Sequence, residues 1–188
     1  MPTTVISRRR FTLAVLPAVI ATREAARAAN TDAPPPATEA TGLSHTAAAI
    51  HQEIDFEASS ARLYEALTSP RQFDALTRLS DAVTLLSAPG AEPTAISPDV
   101  GGPFTLFGGY ITGRNLQMVR GQRLVQAWRA GSWESGAFSI VRFELRTIAH
   151  GCRLIFDHRG FPDTQGASLA SGWQAHYWEP LAKLLQRG

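Results

Sequence analysis

Between residues 101 and 160 the chain runs in short alternating stretches of apolar and polar side chains, interrupted at Gly108-Gly109, Arg120-Gly121 and His150-Gly151. A period of two marks strands with one buried and one wet face. Each X-Gly pair suits a two-residue hairpin loop, because such turns need positive φ and glycine adopts it without steric cost. The strands predicted are 104–107, 110–119, 123–129, 138–147 and 152–159. In the last two the sides separate cleanly: Val141, Phe143 and Leu145 oppose Arg142, Glu144 and Arg146, and Leu154, Phe156 and His158 oppose Arg153, Asp157 and Arg159. Consecutive hairpins build an antiparallel sheet whose apolar face must be covered. Only the closing segment, 165–186, is long enough to cover it.

In that segment Leu169, Trp173, His176/Tyr177, Leu181 and Leu184/Leu185 recur at steps of three and four, the spacing of one apolar helical stripe. Pro180 lies inside it and is expected to bend the helix or remove one backbone hydrogen bond. Upstream, Ile50, Gln52, Ile54 and Phe56 alternate with His51, Glu53, Asp55 and Glu57, which predicts a further strand. Ser59 or Ser60 can then cap a helix carrying Leu63, Tyr64 and Leu67. Ser69-Pro70 ends it and opens a second short helix through Phe73 and Leu76. Between Leu79 and Gly102, Pro89-Gly90, Pro93 and Pro98 leave room for short strands only. The fold class expected is therefore α+β, a curled antiparallel sheet wrapped around a long C-terminal helix with two short helices after the first strand.

The N-terminus reads differently. Arg8-Arg9-Arg10 precedes an apolar run from Phe11 to Ala21, and Ala26-Arg27-Ala28 offers a small-x-small processing site. This layout predicts a twin-arginine signal peptide over 1–28 and a periplasmic or secreted protein. The run is too short for a permanent membrane span, which needs about 20 residues. Residues 29–46, with Pro34 to Pro36 and no apolar periodicity, read as a disordered tether, leaving 47–188 as the folded domain. Loss of the signal removes five of the 18 basic residues (Arg8, Arg9, Arg10, Arg23, Arg27) and one of the 16 acidic ones (Glu24), leaving 13 against 15 and a net charge of −2. With Lys183 the sole lysine and no basic face, nucleic acid is not an expected partner. Cys152 is the only cysteine, so no intrachain disulfide can form.

Four stretches in order carry a resemblance: Gly101-Gly102-Pro103-Phe104, then 107–113 (FGGYITG), then 124–129 (LVQAWR), then Gly172-Trp173 with 177–181 (YWEPL). Over about 48–186 the chain resembles the activators of the ninety-kilodalton heat-shock chaperone ATPase, specifically their C-terminal domain. That domain belongs to the START-like, or SRPBCC, superfamily. The resemblance implies a helix-grip fold and a cavity between sheet and helix. The superfamily includes lipid carriers, secondary-metabolite binders and aromatase/cyclases, so the fold does not choose among functions. The eukaryotic activators carry a further chaperone-binding domain with no counterpart before residue 47, and the signal segment argues for export. A chaperone partner is accordingly doubtful.

The residues themselves offer little catalysis. The glycines of 101–113 match neither dinucleotide nor P-loop spacing and read as turns. No G-x-S-x-G is present, and Cys152 reads as a small core residue. His158 and His176 fall on apolar faces, where a hydrogen-bonded structural histidine is the commoner occurrence than a base. Asp157 alternates away from His158, which disfavours a metal site, and neither metal nor cofactor is expected. Aromatics, by contrast, concentrate around the expected cavity, with Phe107 and Phe138 counted among them. Its lining is assigned to Phe104, Trp128, Trp133, Phe143, Phe156, His158, Trp173, His176 and Tyr177. The leading expectation is a protein that binds a small hydrophobic or aromatic molecule; binding is favoured over catalysis, and whether the chain is an enzyme is left open. The alternatives are a protein-interaction or co-chaperone-like module, and a cofactor-independent cyclase or hydrolase using His158 or His176.

Overall fold

A computed structural model of the chain describes residues 49–187. The signal and tether assigned to 1–28 and 29–46 lie outside the described residues. Strand β1 (Ala49–Phe56) leads into helices α1 (Ser60–Thr68) and α2 (Pro70–Thr77), and a helical turn, α3 (Val83–Leu86), follows. Then come strands β2 (Ala95–Ile96), β3 (Pro103–Leu106), β4 (Ile111–Val119), β5 (Arg123–Ala130), β6 (Ser139–Ile148) and β7 (Gly151–Arg159). They form one seven-stranded sheet in the order β1-β7-β6-β5-β4-β3-β2, every pair antiparallel. The C-terminal helix comprises α4 (Gly166–Trp173), a π-helical segment (Gln174–Trp178) and α5 (Glu179–Gln186). This is the α+β arrangement the alternation implied and the helix-grip fold the resemblance implied.

Local chemistry explains the elements. Ser59 accepts a hydrogen bond from the Arg62 backbone N–H and caps α1, while Pro70, whose missing N–H costs nothing in a first turn, starts α2. Alternation on β6 is as expected, with Val141, Phe143 and Leu145 buried and Arg142 and Arg146 exposed; on β7 Leu154, Phe156 and His158 are buried as expected, but Ile155 and Asp157 of the opposite parity are buried too, the carboxylate held by His51 and Arg142.

The turns differ from expectation. Only the β6–β7 loop has two residues, Ala149-His150, because Ile148 already pairs with Gly151. The β4–β5 loop has three, Arg120 to Gln122, between the paired Val119 and Arg123. Gly121, at φ 69°, lets that longer loop follow the twist of its strands. Gly108-Gly109 is no hairpin loop but part of a four-residue connection, Phe107 to Tyr110, between the paired Leu106 and Ile111. Phe107, Gly108 and Gly109 all take positive φ (51°, 67° and 93°). At Gly108 a Cβ would strike the Leu85 carbonyl, so only glycine lets this turn pack on α3. Residues 83–86 are a helical turn, not a short strand.

The C-terminal helix departs most from a regular pattern. Pro180 cannot donate a hydrogen bond, and the chain widens just before it: the Glu179 N–H reaches back five residues to the Gln174 carbonyl. One extra residue in that turn rotates the phase of the stripe, so Trp173, Tyr177 and Trp178 all become buried. A strict 3.6-residue period leaves Trp178 off the stripe.

A cavity between the C-terminal helix, the β3–β4 turn and α3

The interior divides around Trp128, which points inward from the middle of the sheet. On one side aromatic rings pack without gaps. Trp173 lies 4.4 Å from Phe156 at a tilt and stacks 5.5 Å from Trp178, and Phe143 lies 5.2 Å from Phe156. The polar atoms here are paired. Trp178 Nε1 donates to Gln52 Oε1 at 2.6 Å, and Gln52 Nε2 donates to the Ala170 carbonyl at 3.3 Å, so one β1 side chain pins two turns of the helix.

His158 belongs to this packed side. Trp173 Nε1 lies 3.0 Å from His158 Nδ1, and an indole N–H can only donate, so Nδ1 accepts and the ring hydrogen sits on Nε2. That N–H donates to Ser139 Oγ at 2.7 Å, and Ser139 donates onward to the Trp128 carbonyl at 3.0 Å. Both ring nitrogens are thus committed. Burial pushes the imidazole down to about 4, so it is neutral over the ordinary pH range. His158 can neither take a substrate proton nor meet a ligand here; it holds two tryptophans in place.

On the other side of Trp128 lies a cavity of about 430 Å³. Its floor is Trp128, Ala130 and Ile111 of the sheet. One wall is the C-terminal helix, through Leu169, Gly172, Trp173, His176 and Tyr177; the other is the loop before α3, α3 itself and the β3–β4 turn, through Ala82, Leu85, Phe107 and Tyr110. The left-handed Phe107 is fixed by an aromatic triangle, 5.2 Å from Phe73 and 5.3 Å from Tyr177. A phenylalanine in that conformation is strained and persists because its ring is buried. Gln165 and Ser168 stand at the rim, and Trp133 Nε1 donates to Gln165 Oε1 at 2.6 Å, tying the β5–β6 connection to the start of the helix.

Of the nine residues assigned to the lining, Trp128, Trp173, His176 and Tyr177 border this cavity. Phe104, Trp133, Phe143, Phe156 and His158 do not: Phe104 is buried over Gly113 of β4, and the other four are buried against one another or against Trp128 and Trp173. Phe138 is 51 % exposed, because β6 parity puts it with Ile140 and Arg142 on the outer face. Leu85, Phe107, Tyr110 and Gln165, which do border the cavity, were not singled out as lining by the sequence. Their signal lay in the three positive-φ positions that bring the turn against α3.

Three of the side chains that line the cavity carry a buried polar atom with no hydrogen-bond partner among the described residues: Trp128 Nε1, Tyr177 Oη and His176 Nδ1. Trp128 and Tyr177 are only 4 % and 5 % exposed. Burial holds the Tyr177 phenol well above its ordinary range, and the Trp128 indole acts on it in the opposite direction, so the two groups face each other without reaching hydrogen-bond geometry. As for a metal, no group of three or more His, Cys, Asp or Glu side chains comes together among the described residues. No described helix is long and apolar enough to cross a membrane.

Sequence comparison decides the family. Residues 57–186 match the profile of the Activator of Hsp90 ATPase homolog 1-like proteins. The chain belongs to that family. Within it, the chain is 23 % identical over 94 residues to the mouse activator of 90 kDa heat shock protein ATPase homolog 2, covering 50 % of this chain and 28 % of the relative. It is 23 % identical over 132 residues to a protein of Schizosaccharomyces pombe, covering 70 % and 35 % respectively. The chain therefore spans about a third of the length of these curated relatives. Among solved structures, an Hsp90 activator from Plasmodium falciparum superposes with a TM-score of 0.62 at 18 % identity, covering 73 % of this chain and 96 % of that one. A Chromobacterium violaceum protein gives 0.59 at 21 % identity, covering 74 % and 97 %. CalU16 from Micromonospora echinospora gives 0.58 at 19 %, covering 74 % and 76 %. Identities this low carry the fold of the family and no activity.

Proposed function

We propose that this Activator of Hsp90 ATPase homolog 1-like domain binds a small, largely apolar molecule in the cavity between the C-terminal helix, α3 and the β3–β4 turn. The observation that carries the reading is a helical glycine at the cavity wall. Gly172 sits inside α4, where glycine is less favourable than alanine by roughly 0.5–1 kcal/mol, and a Cβ there would meet only the His176 ring, 3.9 Å away. Packing does not demand glycine at this position. It borders open volume, and the surrounding Trp128, Trp173, Tyr177 and Leu169 give that volume the apolar, aromatic character of a small-molecule site.

The test is a cavity-filling variant. Gly172→Leu should keep or raise thermal stability, since it improves helix propensity and fills space, while abolishing saturable binding of a neutral apolar fluorophore such as N-phenyl-1-naphthylamine. Unchanged binding in that variant would refute the site, and no binding to the parent chain would refute the reading altogether.

The same proposal places the protein outside the cytoplasm, on the strength of Arg8-Arg9 followed by the apolar run from Phe11 to Ala21. Replacing both arginines by lysine should trap an unprocessed chain in the cytoplasm; processed protein still found in the envelope fraction would exclude the twin-arginine route.

A further inference from the structure

Trp128 and Tyr177 between them present two hydrogens and too few acceptors. The indole Nε1 can only donate. Were it to bond the phenol oxygen it faces, the phenol hydrogen would still lack an acceptor, and neither atom has a hydrogen-bond partner among the described residues. Both side chains are more than nine-tenths buried, so bulk water does not serve them. Unpaired donors in such a place carry a desolvation cost that an occupant supplying an acceptor would remove.

Resting on the cavity reading above, we propose that the ligand is an uncharged carbonyl compound, its flat apolar body among the aromatic rings and its oxygen at the buried end, accepting from Trp128 Nε1 and Tyr177 Oη together. A carbonyl oxygen has two lone pairs and can take both hydrogens. The electrostatics of the wall favour a neutral oxygen over a carboxylate. Among the described residues no lysine or arginine borders the cavity, and the ionisable carboxyl on its rim, Asp81, is exposed and of the wrong sign to hold an anion. An anionic ligand would shed its hydration with no countercharge to replace it. His176, whose Nδ1 is also unpartnered, lies one residue before Tyr177 and gives the site a second polar point.

Three naphthalenes of similar size separate the possibilities when titrated calorimetrically into the full chain: 2-acetylnaphthalene, 2-ethylnaphthalene and 2-naphthoate. The ketone should bind about tenfold more tightly than the ethyl compound, the difference expected of a buried hydrogen-bonded pair. In chain labelled with ¹⁵N at tryptophan, the ketone alone should move the Trp128 indole resonance downfield. Tyr177→Phe and Trp128→Phe should each reduce the ratio of ketone to ethylnaphthalene affinity, whatever the change in the absolute affinity of either; Tyr177→Phe suffices should the tryptophan variant fold poorly. Equal affinities for ketone and ethyl compound, both abolished by Gly172→Leu, would overturn the carbonyl anchor and leave the cavity reading standing. Tightest binding by 2-naphthoate would overturn the proposal on charge. Binding by none of the three, with every indole resonance unmoved, would remove the cavity reading and the anchor with it.

Discussion

The two sides of Trp128 are made of the same residue types and behave differently. Toward β7, rings pack at 4.4–6.3 Å and the ring nitrogens are paired: Trp173 to His158, His158 to Ser139, Ser139 to the Trp128 carbonyl, Trp178 to Gln52. Toward α3, the rings enclose about 430 Å³, and the Trp128 indole, the Tyr177 phenol and His176 Nδ1 have no partner. Trp128 takes part in both, its carbonyl in the closed network and its indole in the open one. Aromatic content alone therefore does not mark a binding surface. What distinguishes the two sides is whether the hydrogen-bonding groups on the rings are paired.

The contrast predicts that the packed side responds to deletion far more strongly than the open one. Trp178→Ala should show the largest effect, a loss of about 3–5 kcal/mol in urea unfolding, because it leaves a ring-sized hole and orphans the Gln52 amide. Ligand binding to the surviving folded fraction should be little changed. A loss below 1 kcal/mol would mean that this side is loosely packed too.

Acid should attack the same side next. The folded His158 titrates near 4 and an unfolded histidine near 6.5, so between those values the unfolded state binds a proton that the folded state refuses. Stability should thus be fully present above pH 6.5 and fall by roughly 1.4 kcal/mol per unit towards pH 4, about 3 kcal/mol in all. The outer-face His51 works in the opposite sense: its hydrogen bond to Asp157 raises its pKa, a stabilisation present below 6.5 and lost as pH rises, but its exposure keeps that contribution small. The check is a series of unfolding free energies from pH 7.5 to 4 for the parent and His158→Gln. A slope that survives in the variant would assign it elsewhere, and NMR titration of the His158 ring tests the same point without unfolding.

How far these differences were legible in the sequence depends on their range. Strand β6 was readable because a sheet with one wet face imposes alternation, and β7 was readable on its inner face although Ile155 and Asp157 are buried on the other; the same parity excludes Phe138, at an even position with Arg142 and Glu144. The helix stripe was readable except where Pro180 forces a wider turn, which brings Trp178 in against a 3.6-residue count. The cavity was not readable. Its position depends on a turn of three left-handed residues meeting α3, two segments some 20 residues apart with no shared period. Nor does a sequence of tryptophans reveal which indole finds an acceptor; Gln52, Ser139 and Gln165, which decide it, are ordinary polar residues on other elements.

A smaller effect is expected within the His158 chain. Ser139→Ala removes the acceptor of the His158 Nε2–H and the donor to the Trp128 carbonyl, both buried, and should cost about 1–3 kcal/mol. The variant should also loosen Trp128, read as broadening of its indole resonance. A neutral result would mean the imidazole hydrogen has found another partner and that the network is not closed.

The smallest effect is the most discriminating, because its expected sign differs from ordinary experience with buried tyrosines. Tyr177→Phe keeps the ring that packs 4.1 Å from Trp173 and 5.3 Å from Phe107, and removes a hydroxyl that no protein group accepts or donates to. Deleting a buried unsatisfied polar atom returns its desolvation cost, so stability should stay within about 0.5 kcal/mol of the parent or rise, against the 1–3 kcal/mol expected for Ser139→Ala. Urea unfolding of the two variants side by side is sufficient. A loss above 1 kcal/mol for Tyr177→Phe would show that the hydroxyl is paired after all, most directly with the facing Trp128 indole, and the open side of the interior would then be as closed as the other.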